Sequence, residues 1–379
     1  MAAGRRHAVV ALCLALSSLS GCAAPQAPPD ATATRAIQAA LDRRAAAVLA
    51  DGPAGLPLSS WSYRIIRVRR DGDRTRVRAE LRYRVAGHDD GAVTAERAME
   101  AEERDGRWHV TADRPAEGAA PQLWEQGRLD VVRGRRSLVL GVGHDRDRLR
   151  SVAAVADRSV PAVSEAWPEP WAGRLVVLVP ASLDAMGALL GAPAAGYRGV
   201  AAVTTGRAGG GADAPADRVI VNPEAYQELG EAGRAFVLTH ETAHVATRAH
   251  TSGATPLWLS EGFADWVAHH GTGGDPARLA PRLRDAVRAG DLPAELPGDQ
   301  DFALTGDPAT LSRAYEEAWL ACALIAERWG EAELTAFYRA VGERGRGPGS
   351  VEKALRDVLD TTPESFTLAW RAYLRERLG

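Results

Sequence analysis

His240-Glu241-Thr242-Ala243-His244, followed after sixteen residues by the carboxylate of Trp258-Leu259-Ser260-Glu261-Gly262-Phe263-Ala264-Asp265, decides how this chain is read. Positions i and i+4 of a helix share a face, so His240 and His244 can grip one ion from the same side. Glu241 is turned away along the same helix, where it can reach a water on that ion without ligating it. Imidazole and carboxylate are the ligand types of hydrolytic zinc, which takes three protein ligands and leaves a fourth position for water. The spacing predicts one Zn2+ per chain, with Glu241 as the general base.

Three residues could complete the ligand set. His250 stands six residues after His244, which is the metzincin spacing, but that class needs a glycine where this chain has Thr247. It also needs a downstream methionine turn, and Met1, Met99 and Met186 all lie upstream. His250 is therefore read as a surface histidine at a helix end, where positive charge is favoured. Glu261 and Asp265 are the other two candidates.

The stretch Pro256-Leu257-Trp258-Leu259-Ser260-Glu261-Gly262-Phe263-Ala264-Asp265-Trp266 resembles the glutamate helix of the gluzincins. That clan includes the thermolysin-like and aminopeptidase N types, and the likeness covers about residues 130–345. It implies Glu261 as the third zinc ligand and Asp265 as the residue that hydrogen-bonds His240. It also implies an oxyanion donor from the later helices. Tyr315 takes that place, fifty-four residues past Glu261, with Tyr338 as a weaker substitute. An edge strand, here Gly199–Thr205, would pair with the substrate backbone. The Gly-Ala-Met-Glu-Asn motif with which aminopeptidases capture a free N-terminus is missing, so an endopeptidase acting on peptide or protein substrates is expected.

The rest of the chain supplies context. Of its 379 residues 46% are hydrophobic and 25% charged, with a net charge of −3. Basic residues are spread and nearly balanced by acids, which argues against a nucleic-acid partner. Arg5 and Arg6 precede a short apolar run from Ala8 to Leu19, the pattern of a signal peptide over residues 1–21. Leu19-Ser20-Gly21-Cys22 resembles a bacterial lipobox, which makes Cys22 the expected lipidation site and membrane anchor, on the extracytoplasmic side. Residues 22–34 then read as an Ala/Pro-rich tether. With Cys13 removed and Cys22 lipidated, Cys322 has no disulfide partner and reads as a small core residue.

The expected fold class is α+β. Residues 35–118 give a helix and then period-two strands, with Val77, Ala79, Leu81, Tyr83 and Val85 alternating with arginines and Glu80. Asp71-Gly72 and Asp105-Gly106 mark hairpin turns. An N-terminal helix plus a curved antiparallel sheet resembles an NTF2-like or cystatin-like accessory domain. A linker near residues 114–121 leads to a thermolysin-like catalytic α+β subdomain at 125–275, and a helical subdomain follows at 276–379. Within the catalytic part Gly206–Ala216 reads as a mobile loop. Nothing in the pattern specifies an oligomeric state. Two other functions use the same residues. One is a non-catalytic surface lipoprotein with a structural zinc and a partner-binding N-terminal module. The other is a hydrolase of non-peptide amide bonds. Glu241 weighs against the first, because a structural site has no use for a base and prefers a closed four-ligand shell.

Overall fold

A computed structural model describes residues 31–71, 74–206, 213–304, 306–343 and 349–379. The expected signal segment, Cys22 and the part of the expected tether before Ala31 lie outside these residues, as do Gly72 and residues 207–212 of the Gly206–Ala216 stretch.

The chain opens on α1 (Ala31–Asp51), so residues 31–34 are helical rather than part of a tether. Ile37, Ala40, Leu41 and Ala45 form its buried stripe. It packs on β1 (Leu58–Asp71) and β4 (Arg107–Pro115) of an antiparallel meander that also holds β2 (Arg74–Val85) and β3 (Val93–Arg104). Along β2 the residues from Val77 to Val85 alternate as expected, the arginines outward and the apolar side chains inward. Asp105 and Gly106 both have positive φ, 52° and 71°, the primed hairpin turn that joins β3 to β4. Register shifts in β1 between Leu58 and Ser60 and between Ile65 and Arg67 bend that strand.

The second sheet is mixed, in the order β5-β6-β7-β9-β8. It contains β5 (Leu129–Arg133), β6 (Ser137–Val142), β7 (Leu175–Val179), β8 (Ala202–Thr205) and β9 (Arg218–Val221). β6, β7 and β9 run parallel, while β5 and β8 are antiparallel edges. The central strands are covered on both faces, which explains their unbroken apolar sequence. Val139, Val177, Val219 and Val221 face α2 (Arg146–Ala166) and Leu238 of α5 (Glu231–Thr247). On the other face, Leu138, Leu140 and Val176 share one core with Leu81, Met99 and Trp108 of the N-terminal domain. Two shorter helices follow strands: α3 (Leu183–Leu190) lies between β7 and β8, and α4 (Pro223–Glu228) between β9 and α5. β8 is shorter than the expected Gly199–Thr205 strand. Asn222 donates to the carbonyls of Tyr197 and Val200 and holds the approach to it in a loop.

The remainder is helical: α6 (Leu257–His269), α7 (Pro276–Leu279), α8 (Pro281–Arg288), α9 (Pro308–Arg328), α10 (Glu331–Gly342), α11 (Ser350–Leu359) and α12 (Pro363–Leu378). These helices bury a core that includes Phe263, Leu320, Phe337 and Trp370. Trp167, at the end of α2, is fully buried and meets Phe263 and Tyr338 edge-on, which ties the helical part to the mixed sheet. Cys322 lies in this core, and burial pushes its thiol pKa up. The architecture is a mixed α+β fold with one antiparallel and one mixed sheet. Among the described residues no helix is long and apolar enough to cross a membrane.

Candidate metal centre

α5 carries His240, Glu241 and His244, and α6 carries Glu261 and Asp265. Two helices can present five such groups to each other only if they pack closely, and α6 is in turn pressed onto α9. A Cβ on Gly262 would lie 2.3 Å from the carbonyl oxygen of Ala318, so glycine is required where the two backbones meet. Tyr315 is one turn before Ala318 in α9, and this contact brings it to the residue preceding Gly262, Glu261.

The ligand atoms of His240, His244 and Glu261 form the one potential metal-holding group among the described residues. His240 Nε2 and His244 Nε2 are 3.1 Å apart, and Glu261 Oε2 is 3.3 Å and 3.4 Å from them. Tetrahedral zinc with bonds of about 2.0–2.2 Å sets its donor atoms roughly 3.3 Å apart, so this triangle fits the ion. The tautomer fits as well. His240 Nδ1 is 2.7 Å from Asp265 Oδ1 and donates to it, which leaves the Nε2 lone pair aimed into the triangle.

The electrostatics show how strongly these groups attract a cation. Burial disfavours a charged His240, yet its hydrogen bonds to Asp265 and Glu261 outweigh this and hold its pKa well above the ordinary histidine value. Burial also opposes an ionised Glu261, but His244 and His240 hold its carboxyl well below the usual range. Both shifts mark a pocket that favours positive charge, which a divalent ion would supply when bound. Burial, then the Glu261, Asp265 and Glu241 carboxylates, push the Tyr315 phenol far up, and it remains a donor. Its ring centroid is 6.3 Å from that of His240.

Glu241 is buried but not in the metal-holding group. Thr204 on β8 donates to Glu241 Oε2 at 2.6 Å and lies 3.2 Å from the Glu241 carbonyl oxygen. Sequence reading missed Thr204. The edge strand was expected from the resemblance, but a contact across thirty-seven positions leaves no trace in local periodicity.

Other histidines need correcting. His250 is half-buried in a 3-10 turn after α5, edge-on to Trp167, rather than a surface group. Burial lowers its pKa, and Arg339 lowers it further, so it is not a site of favoured positive charge. His269, in the last turn of α6, has its ring between Phe236 and Trp319, at 4.6 Å and 4.4 Å. His270 pairs with Glu331 at 2.9 Å. Tyr338 is fully buried and shares its hydroxyl with Thr251 and Thr247, so it braces α10 instead of facing the triangle.

A cavity of about 1050 Å³ lies between the N-terminal domain and the mixed sheet. It touches α5 at Val245 and Ala246, which are about 100° or more around the helix from His244, and the turn after it at Ala249. Neither the three ligands nor Glu241 and Tyr315 line it, so it is not the cleft that would present a substrate to the metal.

No protein-family model matches the chain, and no curated protein matches it. Its neighbours among solved structures are M1 zinc metallopeptidases and LTA4 hydrolase. A point mutant of a two-domain M1 zinc metallopeptidase bound to L-arginine aligns at 15% identity and a TM-score of 0.39, covering 74% of this chain and 60% of that one. Native yeast LTA4 hydrolase aligns at 15% and 0.40, covering 73% and 44%. An M1 zinc metallopeptidase from Deinococcus radiodurans aligns at 14% and 0.36, covering 73% and 58%. The chain thus spans three-fifths or less of the length of these neighbours. At this degree of likeness, the site must be judged on its own residues.

Proposed function

We propose that the chain is a zinc-dependent endopeptidase of gluzincin type, with His240, His244 and Glu261 as ligands and Glu241 as general base. One observation carries this reading. The three donor atoms form a triangle with edges of 3.1–3.4 Å, while a fourth buried group, Glu241, lies next to the set on the same helix and outside it. A purely structural zinc site would close its shell with a fourth ligand and would have no use for that carboxylate.

When bound, zinc lowers the pKa of water from about 15.7 to about 7 and polarises the scissile carbonyl. Thr204 holds Glu241 Oε2, which leaves Oε1 to accept a proton from the attacking water and return it to the leaving nitrogen. Tyr315, kept protonated by its surroundings, donates to the oxyanion that develops on the substrate. Asp265 fixes the orientation of His240. The outer edge of β8 supplies backbone groups for an extended peptide. β8 reads Ala202-Val203-Thr204-Thr205 and has no carboxylate to hold a free amine, which supports cleavage within a chain.

The lipobox-like Leu19-Ser20-Gly21-Cys22 supports extracytoplasmic anchoring through Cys22, and a Cys22→Ser variant that stays in the membrane fraction would sink that part. The activity is tested by profiling a diverse peptide mixture with wild type and Glu241→Gln, with zinc content measured on both. Internal cleavage by wild type alone, at about one zinc per chain in both proteins, is the expected result. A zinc content near zero in protein purified without chelator would overturn the proposal.

A further inference from the structure

Two consecutive residues, Asp217 just before β9 and Arg218 at its start, turn to opposite faces of the mixed sheet. Arg218 turns to the side covered by the N-terminal domain, and Asp217 to the side covered by α5. Each is closed off by an ion pair with a different part of the molecule.

Arg218 forks onto Asp89, with Nη1 2.9 Å from Oδ1 and Nη2 2.8 Å from Oδ2. Asp89 belongs to the turn between β2 and β3, and its side chain has no exposed surface. Its remaining lone pairs accept from Val85 N at 2.7 Å and Ala216 N at 3.0 Å, so all four acceptor positions are filled. In the same turn Gly91 N donates to Ala214 O at 3.0 Å, and a Cβ on Gly91 would lie 1.7 Å from Asp213 O. The turn is seated directly on the backbone that leads into β9.

Asp217 accepts from Arg248 Nε at 2.6 Å. Arg248 is four residues past His244, one helical turn beyond the second metal-binding histidine. Burial raises the Asp217 pKa even with Arg248 beside it; the Asp217 side chain is buried and that of Arg248 partly so. A Cβ on Gly206 would lie 1.8 Å from Asp217 Oδ1, so this carboxylate also packs against the end of β8. β8 pairs with β9 through Thr205↔Arg218 and Thr204↔Val219, and Thr204 is the residue that holds Glu241. One two-residue step therefore joins the N-terminal domain, the turn after His244 and the strand that steers the base.

We propose that Asp89 of the N-terminal domain is a positioning residue for the metal centre, acting through Arg218 and Asp217 on Arg248 and the last turn of α5. The proposal rests on the metal-centre reading given above. Its physical basis is that the largely buried guanidinium of Arg218 would be left uncompensated by loss of its carboxylate. Arg218 would move to find water, and its backbone would carry Asp217 with it.

The test uses the full chain as wild type, Asp89→Asn, Asp217→Asn and the double variant. The zinc dissociation constant is measured by competition with a chromophoric chelator. Hydrogen exchange of residues 241–250 is measured on the metal-free proteins. Each single variant should weaken zinc binding about tenfold, as loss of a partner that orients a ligand does, and speed exchange in the last turn of α5. The double variant should be little worse than either, because both act along one path. Unchanged zinc affinity and unchanged α5 exchange in Asp89→Asn, with faster exchange confined to residues 85–91, would overturn the proposal. Fully additive losses in the double variant would do the same. If Asp89→Asn does not fold, Arg218→Lys, which keeps the charge but loses the fork, is read by the same two measurements. A wild type that binds no zinc would sink the metallopeptidase reading, while exchange in α5 would still decide whether Asp89 acts on that helix.

Discussion

Gly262 of α6 meets the carbonyl oxygen of Ala318 in α9 so closely that a Cβ would lie 2.3 Å from it. The obstacle is backbone, which cannot rotate aside as a side chain can. Gly262→Ala should therefore force the helices apart and cost about 1–3 kcal/mol or more. Gly253→Ala, where nothing lies within 4 Å of the added carbon, is the control. Urea unfolding checks this: a midpoint lowered in Gly262→Ala and unchanged in Gly253→Ala is expected. Equal midpoints in both would refute the close-packing account.

Asp265 accepts the Nδ1 hydrogen of His240 at 2.7 Å and thereby turns the other nitrogen toward the ligand triangle. Asp265→Asn replaces a carboxylate with an amide that binds the ring more weakly and can favour the wrong tautomer. Zinc affinity should fall roughly 10–100-fold. Metal competition titration reads this directly, and an unaltered dissociation constant would remove Asp265 from the site.

Tyr315 is read as a donor to the developing oxyanion. Tyr315→Phe should lower kcat about 100- to 1000-fold with KM and zinc content nearly unchanged. Because burial and three carboxylates push the phenol pKa far up, its donor role should persist through mildly alkaline pH. Steady-state kinetics across neutral and alkaline pH test both statements. A variant as active as wild type would return Tyr315 to the status of a packing residue.

Asp157 accepts from Arg135 N, Arg136 N and the Ser137 hydroxyl, at 2.7, 2.9 and 2.8 Å, and so closes the turn between β5 and β6. Burial would raise its pKa, but these hydrogen bonds outweigh burial and lower it. A carboxylate with a depressed folded pKa contributes its stability above the unfolded value near 4, and the contribution is lost as pH falls through the folded value. Asp157→Asn should be less stable than wild type at pH 7, and the gap should close toward pH 2. Urea midpoints across that range measure it; a gap independent of pH would show that ionisation plays no part.

Legibility in the sequence followed the range of the interactions. His240 and His244 share one helix, so their spacing alone put them on one face. β2 declared itself because its alternation is local, and Asp105-Gly106 because turn chemistry is local. Thr204 against Glu241, Asp89 against Arg218 and Asp217 against Arg248 pair residues from different elements, and no periodic pattern encodes them. His250 was misread for the same reason. Its place at a helix end was visible, but the indole of Trp167 beside it was not.

Leu138, Leu140 and Val176 of the mixed sheet share a core with Leu81, Met99 and Trp108 of the meander. The expected linker begins later than residue 114, because Arg114 and Pro115 still pair within β4. A cut after them, near residues 116–121, would leave one whole side of the mixed sheet wet. The two halves, separable on paper, are expected to melt as a single cooperative unit, with one calorimetric transition. The half that carries His240, His244 and Glu261, produced alone, would be a sticky fragment.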